Sequence, residues 1–131
     1  MSGVRLRRLE MNVNLLMGIV HAALGLTIII ADEDNFDPPT YEPLVTFSFG
    51  HFWLWGITSI VIALLLNPHL GRRFNIVGLF FGMVWMIVWF SLFFVAVESN
   101  PDSAPTPMAC YGGFAMINAA LLTAKVSERE E

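Results

Sequence analysis

Asparagines and histidines stand at regular intervals inside segments otherwise fit for hydrocarbon, and they are the residues best able to do chemistry. Asn14, Gly18, His21 and Gly25 follow one another at spacings of four, three and four. On an α-helix those spacings share one face. His51, Trp55 and Ser59 make a second row at intervals of four, with Thr58 beside it, and Asn118 lies in the last apolar run. Imidazoles on two neighbouring helices could ligate a haem iron. Depth argues against it. His21 stands about ten residues from the outer end of its run and His51 about five or six from its own, an offset of roughly 7 Å at 1.5 Å per residue. A haem held by two histidines prefers matched levels unless it is tilted, so no cofactor is expected. An unpaired amide or imidazole in hydrocarbon costs on the order of several kcal/mol. Asn14, His21, His51, Ser59 and Asn118 are therefore expected to face other helices and to bond across them, each bond contributing ~0.6–2 kcal/mol.

Other chemistry is poorly supplied. The interiors of the first three apolar runs hold no Asp, Glu, Lys or Arg, and the fourth has only Lys125 near its end. Proton-coupled carriers normally place an ionisable group there. The sequence contains no CxxC, HExxH, GxSxG, P-loop or GxGxxG, the patterns that assemble metal, nucleophile and phosphate sites. Asp32-Glu33-Asp34 lacks the spacing and glycine of an EF-hand and reads as a solvated acidic loop. Ser59, Thr58 and Cys110 have no base adjacent in sequence. Cys110 is the only cysteine, which excludes an intramolecular disulfide. No catalytic residue, metal site or nucleic-acid partner is expected.

The elements that must carry these residues follow from composition. Of 131 residues, 56% are hydrophobic and 14% charged, against about 25% charged in soluble domains. A membrane helix needs roughly 20 apolar residues, and four segments qualify: about 11–31, 45–66, 74–97 and 108–126. They form one domain, 1–131. The basic start at Arg5, Arg7 and Arg8 resembles that of a signal peptide. However, the run is long, and Ile-Ile-Ala before Asp32 lacks a small residue three positions before a cut. The first helix is expected to be retained.

Charge sorts by side. Arg5, Arg7 and Arg8 precede the first run, Arg72 and Arg73 separate the second from the third, and Lys125 and Arg129 follow or end the fourth; these are all seven basic residues. Asp32, Glu33, Asp34, Asp37 and Glu42 fall between the first two runs, and Glu98 and Asp102 between the last two. The positive-inside rule then predicts an up-down four-helix bundle in the cytoplasmic membrane with both termini inside. Pro38, Pro39, Pro43, Pro101, Pro105 and Pro107 predict irregular outer connections that start and stop helices.

Two hairpins of related pattern are also suggested. Arg7-Arg8, Asn14 and Gly18 are echoed by Arg72-Arg73, Asn75 and Gly78, and Phe49-Gly50-His51-Phe52 by Tyr111-Gly112-Gly113-Phe114, at nearly the same interval. Basic starts and turn glycines common to any membrane hairpin would give the same echo.

Gly78 and Gly82 form a GxxxG, and Trp85 and Trp89 extend its stripe. Two missing side chains let another backbone approach closely, either within the chain or between copies. The elements RLRR (5–8), FWLWG (52–56) and GRRFN (71–75), on four passes, resemble the holin-like and other small membrane proteins of actinobacterial bacteriophages. One departure is the tail after Ala124, which is short and carries both signs of charge. The resemblance implies self-assembly in the membrane rather than catalysis, with the bilayer and other copies as partners, in a holin-like or phage–host role. An accessory subunit of a larger membrane complex and a compact channel or transporter are the alternatives.

Overall fold

The computed structural model describes residues 3–30, 38–48 and 51–127. Asp32, Glu33, Asp34, Asp37, Phe49, Gly50 and Arg129 lie outside them. Regular structure among the described residues is helical: α1 (Gly3–Ile30), α2 (Pro38–Phe47), α3 (Trp53–Leu65), a 3-10 turn (Pro68–Leu70), α4 (Arg72–Ser99) and α5 (Thr106–Ser127). Three of these, α1, α4 and α5, are long and apolar enough to cross a membrane. At 1.5 Å per residue, the 28 residues of α4 extend about 42 Å, beyond a hydrocarbon layer of about 30 Å. The chain thus has the character of an α-helical membrane protein.

The second predicted helix, 45–66, is corrected. Val45 to Phe47 close α2, and the helix resumes only at Trp53. The Ser48 hydroxyl donates to the Val45 carbonyl at 2.5 Å, a local bond that competes with helix continuation. Leu54 N donates to His51 O at 2.9 Å, so the chain turns tightly before α3 begins. The 13 residues of α3 span about 20 Å.

The proline-rich connection is corrected as well. Pro38 and Pro39 open a ten-residue helix with Pro43 inside it. Proline suits a first turn, whose N–H groups have no intrahelical partner. Pro107 does the same at the second position of α5. Gly71 precedes α4 with φ of 100°, a conformation that L side chains rarely adopt.

α1 packs chiefly on α3, and α4 on α5, so each half of the chain folds on itself; α3 and α2 then bind the halves together through α4. α1 and α5 meet along a sparse seam. At the tightest crossing, a Cβ on Gly25 would lie 2.6 Å from the Gly56 carbonyl oxygen, and one on Gly56 2.8 Å from that of Gly25. Two backbones meet there without side chains between them. One apolar cluster gathers Ile28, Leu44, Phe52, Trp89 and Phe93. Another gathers Met17, Ile62, Leu66, Leu79 and Leu121, and Trp85 packs against both. Large apolar side chains also cover the outside, among them Leu16, Ile19, Phe74, Phe81 and Phe94.

The two ends differ in charge. Lys125 Nζ meets Glu10 Oε1 at 3.3 Å, and the Arg72 guanidinium donates to the Lys125 carbonyl. The starts of α1 and α4 and the end of α5 therefore share one end, with Arg7, Arg72 and Lys125. At the other, Ala104 N donates to Thr40 Oγ1 at 3.0 Å, joining α2 to the α4–α5 connection near Asp102.

Candidate functional site

Local structure first satisfies the short hydroxyls. Thr27, Thr58, Ser91 and Thr123 each donate to the carbonyl four residues back on their own helix. That removes the donor without a tertiary partner, the usual solution in an apolar setting.

Longer polar side chains instead tie helices together. Asn14 is buried on α1 and donates to the Leu66 carbonyl at 2.7 Å. Asn75, at the start of α4, donates to the carbonyls of Leu65 and Asn67, both at 2.9 Å. The last carbonyls of a helix have no intrahelical donor, and here two neighbouring helices supply one. Trp85 Nε1 on α4 donates to Ser59 Oγ on α3 at 2.9 Å. In the sequence, Asn75 is marked only by its echo of Asn14. Its position four residues after Gly71, in the first turn of a helix that follows a tight turn, is the available signal for this role.

At the centre, three elements meet around Gly82 of α4. A Cβ on Gly82 would come 3.1 Å from His21 Nε2 of α1, 3.2 Å from Asn118 Oδ1 of α5 and 3.3 Å from Ile62 of α3. His21 and Asn118 are completely buried. Asn118 Nδ2 donates to Phe114 O on its own helix at 3.0 Å, which turns its oxygen toward Gly82. Among the described residues, neither His21 ring nitrogen nor Asn118 Oδ1 has a hydrogen-bond partner, so the bonds across helices expected of His21 and Asn118 are corrected: both face inward, but neither makes one. A neutral imidazole carries one donor and one acceptor nitrogen, so the Nε2–H form presents a donor to the side where the Asn118 acceptor lies.

The packing glycines Gly18, Gly25, Gly78 and Gly82 lie inside. Gly78 backs onto α3, where a Cβ would fall 2.8 Å from Leu65 Cβ. Gly18 has more room, with Leu66 Cβ at 3.5 Å. The GxxxG face is thus occupied within the chain by α3, His21 and Asn118. Toward the other end, Trp55 lies 4.8 Å from Trp85, Trp89 5.0 Å from Tyr111, and Phe93 5.2 Å from Tyr111, ring centre to ring centre. Trp89 is buried in this aromatic layer.

His51 does not join the site. It precedes α3 rather than riding on it, is exposed, and stacks on Trp53 with centroids 6.5 Å apart. The row expected from His51, Trp55 and Ser59 therefore holds only from Trp55 onward. A buried His21 and an exposed His51 do not frame a common ligand. Among the described residues no group of three His, Cys, Asp or Glu side chains could hold a metal.

Cavities follow the α1–α5 seam. One of about 410 Å³ opens at the basic end, lined by Arg7, Glu10, Asn14, Arg72, Asn75 and Lys125. An apolar groove of similar size adjoins it at Glu10. A third, of about 370 Å³, lies toward the other end between Leu24, Thr27, Tyr41, Trp89 and Tyr111. Among the described residues, the arrangement ties helices together. No known protein family, curated protein or solved structure matches the chain.

Proposed function

We propose that the chain is a non-enzymatic four-pass protein of the cytoplasmic membrane, with both termini inside, that works by assembling with copies of itself in the bilayer. One observation carries the reading: the buried Asn14, Ser59 and Asn75 and the half-buried Trp85 tie helices together, while the outside is covered by large apolar residues. Such a molecule acts through its apolar flanks. The shared basic end of α1, α4 and α5 supports four crossings, with α2 and α3 together forming the short return. The positive-inside rule turns that end toward the cytoplasm. The resemblance to holin-like phage proteins supports self-assembly over catalysis. Because Gly78 and Gly82 are occupied internally, copies would meet through the outward apolar residues of α1 and α4.

Cys110 is exposed on α5 and offers a single labelling position. Fluorophore-labelled protein in dilute vesicles should bleach in several steps per particle. Uniform single-step bleaching would defeat self-assembly and leave the accessory-subunit reading.

A further inference from the structure

We propose that the basic end of the α1–α5 seam binds one anionic phospholipid, with its phosphate between Arg7 and Arg72, a headgroup hydroxyl on Asn14, and an acyl chain in the adjoining apolar groove. The inference rests on the membrane reading but not on self-assembly. Charge comes first. The cavity of about 410 Å³ is lined by Arg7, Arg72 and Lys125 against the one acid Glu10. Glu10 is taken up by Lys125 at 3.3 Å. Two arginines remain in excess, and a guanidinium matches phosphate oxygens by shape as well as sign. Arg72 also begins α4, whose first turn has no acidic residue and whose cap, Gly71, gives no side-chain bond. The positive end of the helix dipole therefore adds to the same field.

Asn14 narrows the ligand class. It is 1% exposed and lines this cavity. Its amide nitrogen is bound to Leu66 O, while its Oδ1 has no hydrogen-bond partner among the described residues. An acceptor beside two guanidinium groups suits a ligand with both a phosphate and a hydroxyl donor. The groove that meets the cavity at Glu10 is lined by Leu6, Leu9, Val13 and Leu121, between the start of α1 and the end of α5. A polar cavity continuous with an apolar groove fits an amphiphile better than a free anion. Phosphatidylglycerol has all three parts: phosphodiester, free hydroxyls and acyl chains. Basic pockets between helices on the cytoplasmic side are suited to such headgroups.

The test uses the full chain in an uncharged detergent, with added phosphatidylglycerol, phosphatidylcholine or inorganic phosphate, read by native mass spectrometry and thermal unfolding. Phosphatidylglycerol should be retained and should raise the unfolding temperature, while the other two should not. Arg7→Gln should weaken retention about fivefold, the effect of one basic group near a lipid surface. Arg73→Gln, the same charge change at an exposed position outside the cavity lining, should leave it within about twofold. Equal losses in both variants would reduce the effect to diffuse surface charge and overturn the site. Equal binding of phosphatidylcholine, or of phosphate alone, would overturn it too. A chain that stays dispersed in water without detergent would first defeat the membrane reading, before any lipid is added, and the proposal with it.

Discussion

His21, Asn118 and Gly82 show how one missing methyl positions two polar groups. The point that a Gly82 Cβ would occupy is tighter against His21 and Asn118 than ordinary contact, and both side chains sit in a packed core. Gly82→Ala should therefore destabilise the chain by about 1–3 kcal/mol, the usual cost of overpacking. Gly25→Ala should cost at least as much, because its new Cβ would meet the Gly56 backbone oxygen at 2.6 Å, and backbone cannot rotate aside. Gly18→Ala is the internal control. Its Cβ would touch Leu66 Cβ at 3.5 Å, an ordinary contact, and alanine is the better helix former, so a change within about 0.5 kcal/mol is expected. Unfolding in detergent ranks the three, and equal effects would remove the special role of Gly25 and Gly82. The Trp85–Ser59 bond is separable by a double-mutant cycle with Trp85→Phe and Ser59→Ala. A coupling of ~0.6–2 kcal/mol is expected, and none if the hydroxyl is only a bystander.

At the scale of elements, α3 is the weak member and its end is held from outside. Asn75→Leu keeps the volume but leaves the carbonyls of Leu65 and Asn67 without the amide donor they share. A loss of roughly 1–3 kcal/mol should appear with faster amide exchange in the last turn of α3 than in the middle of α4. Unchanged exchange there would mean that packing alone holds the end. The same element marks the limit of reading from sequence. α1, α4 and α5 were legible because apolar length is a property of the residues themselves, and their ends fell within a few residues of expectation except at the start of α1. That start runs back to Gly3, through Arg5 to Arg8, because a charged turn remains helical beyond an apolar span. The break at Ser48 was not legible, since the apolar pattern continues across it and a serine bonding backward leaves no periodic trace. His51 was misplaced for that reason alone. The inward placement of Asn14, His21, Ser59 and Asn118 was legible from the cost of exposing them. Which helix each would meet was not, because that depends on the hairpin pairing of α1 with α3 and α4 with α5. Gly56, opposite Gly25, passed unnoticed because no second glycine lies four residues away.

Across the whole molecule, charge and topology must agree. Arg72 and Lys125 share an end with the start of α1 because contacts join them, and Arg7 lines the same cavity. The bond from Ala104 N to Thr40 fixes the opposite end in the same way. A bilayer converts this two-ended molecule into an oriented one, because basic segments resist translocation while acidic ones have little effect. Cysteines at Asp102 and Ser127, both exposed, report on the two ends in a Cys110→Ala background; Ser103 is a poorer reporter because it is buried. In intact cells, a membrane-impermeant thiol reagent should modify the Asp102 position and reach the Ser127 position only after permeabilisation. Labelling of both before permeabilisation would break the four-pass arrangement, since an odd number of crossings between them is what separates the ends. Protection of Asp102 with labelling of Ser127 would keep the four passes but invert them. In that case the Arg7–Arg72 cavity would face the outer leaflet, and the positive-inside rule would have failed for this chain.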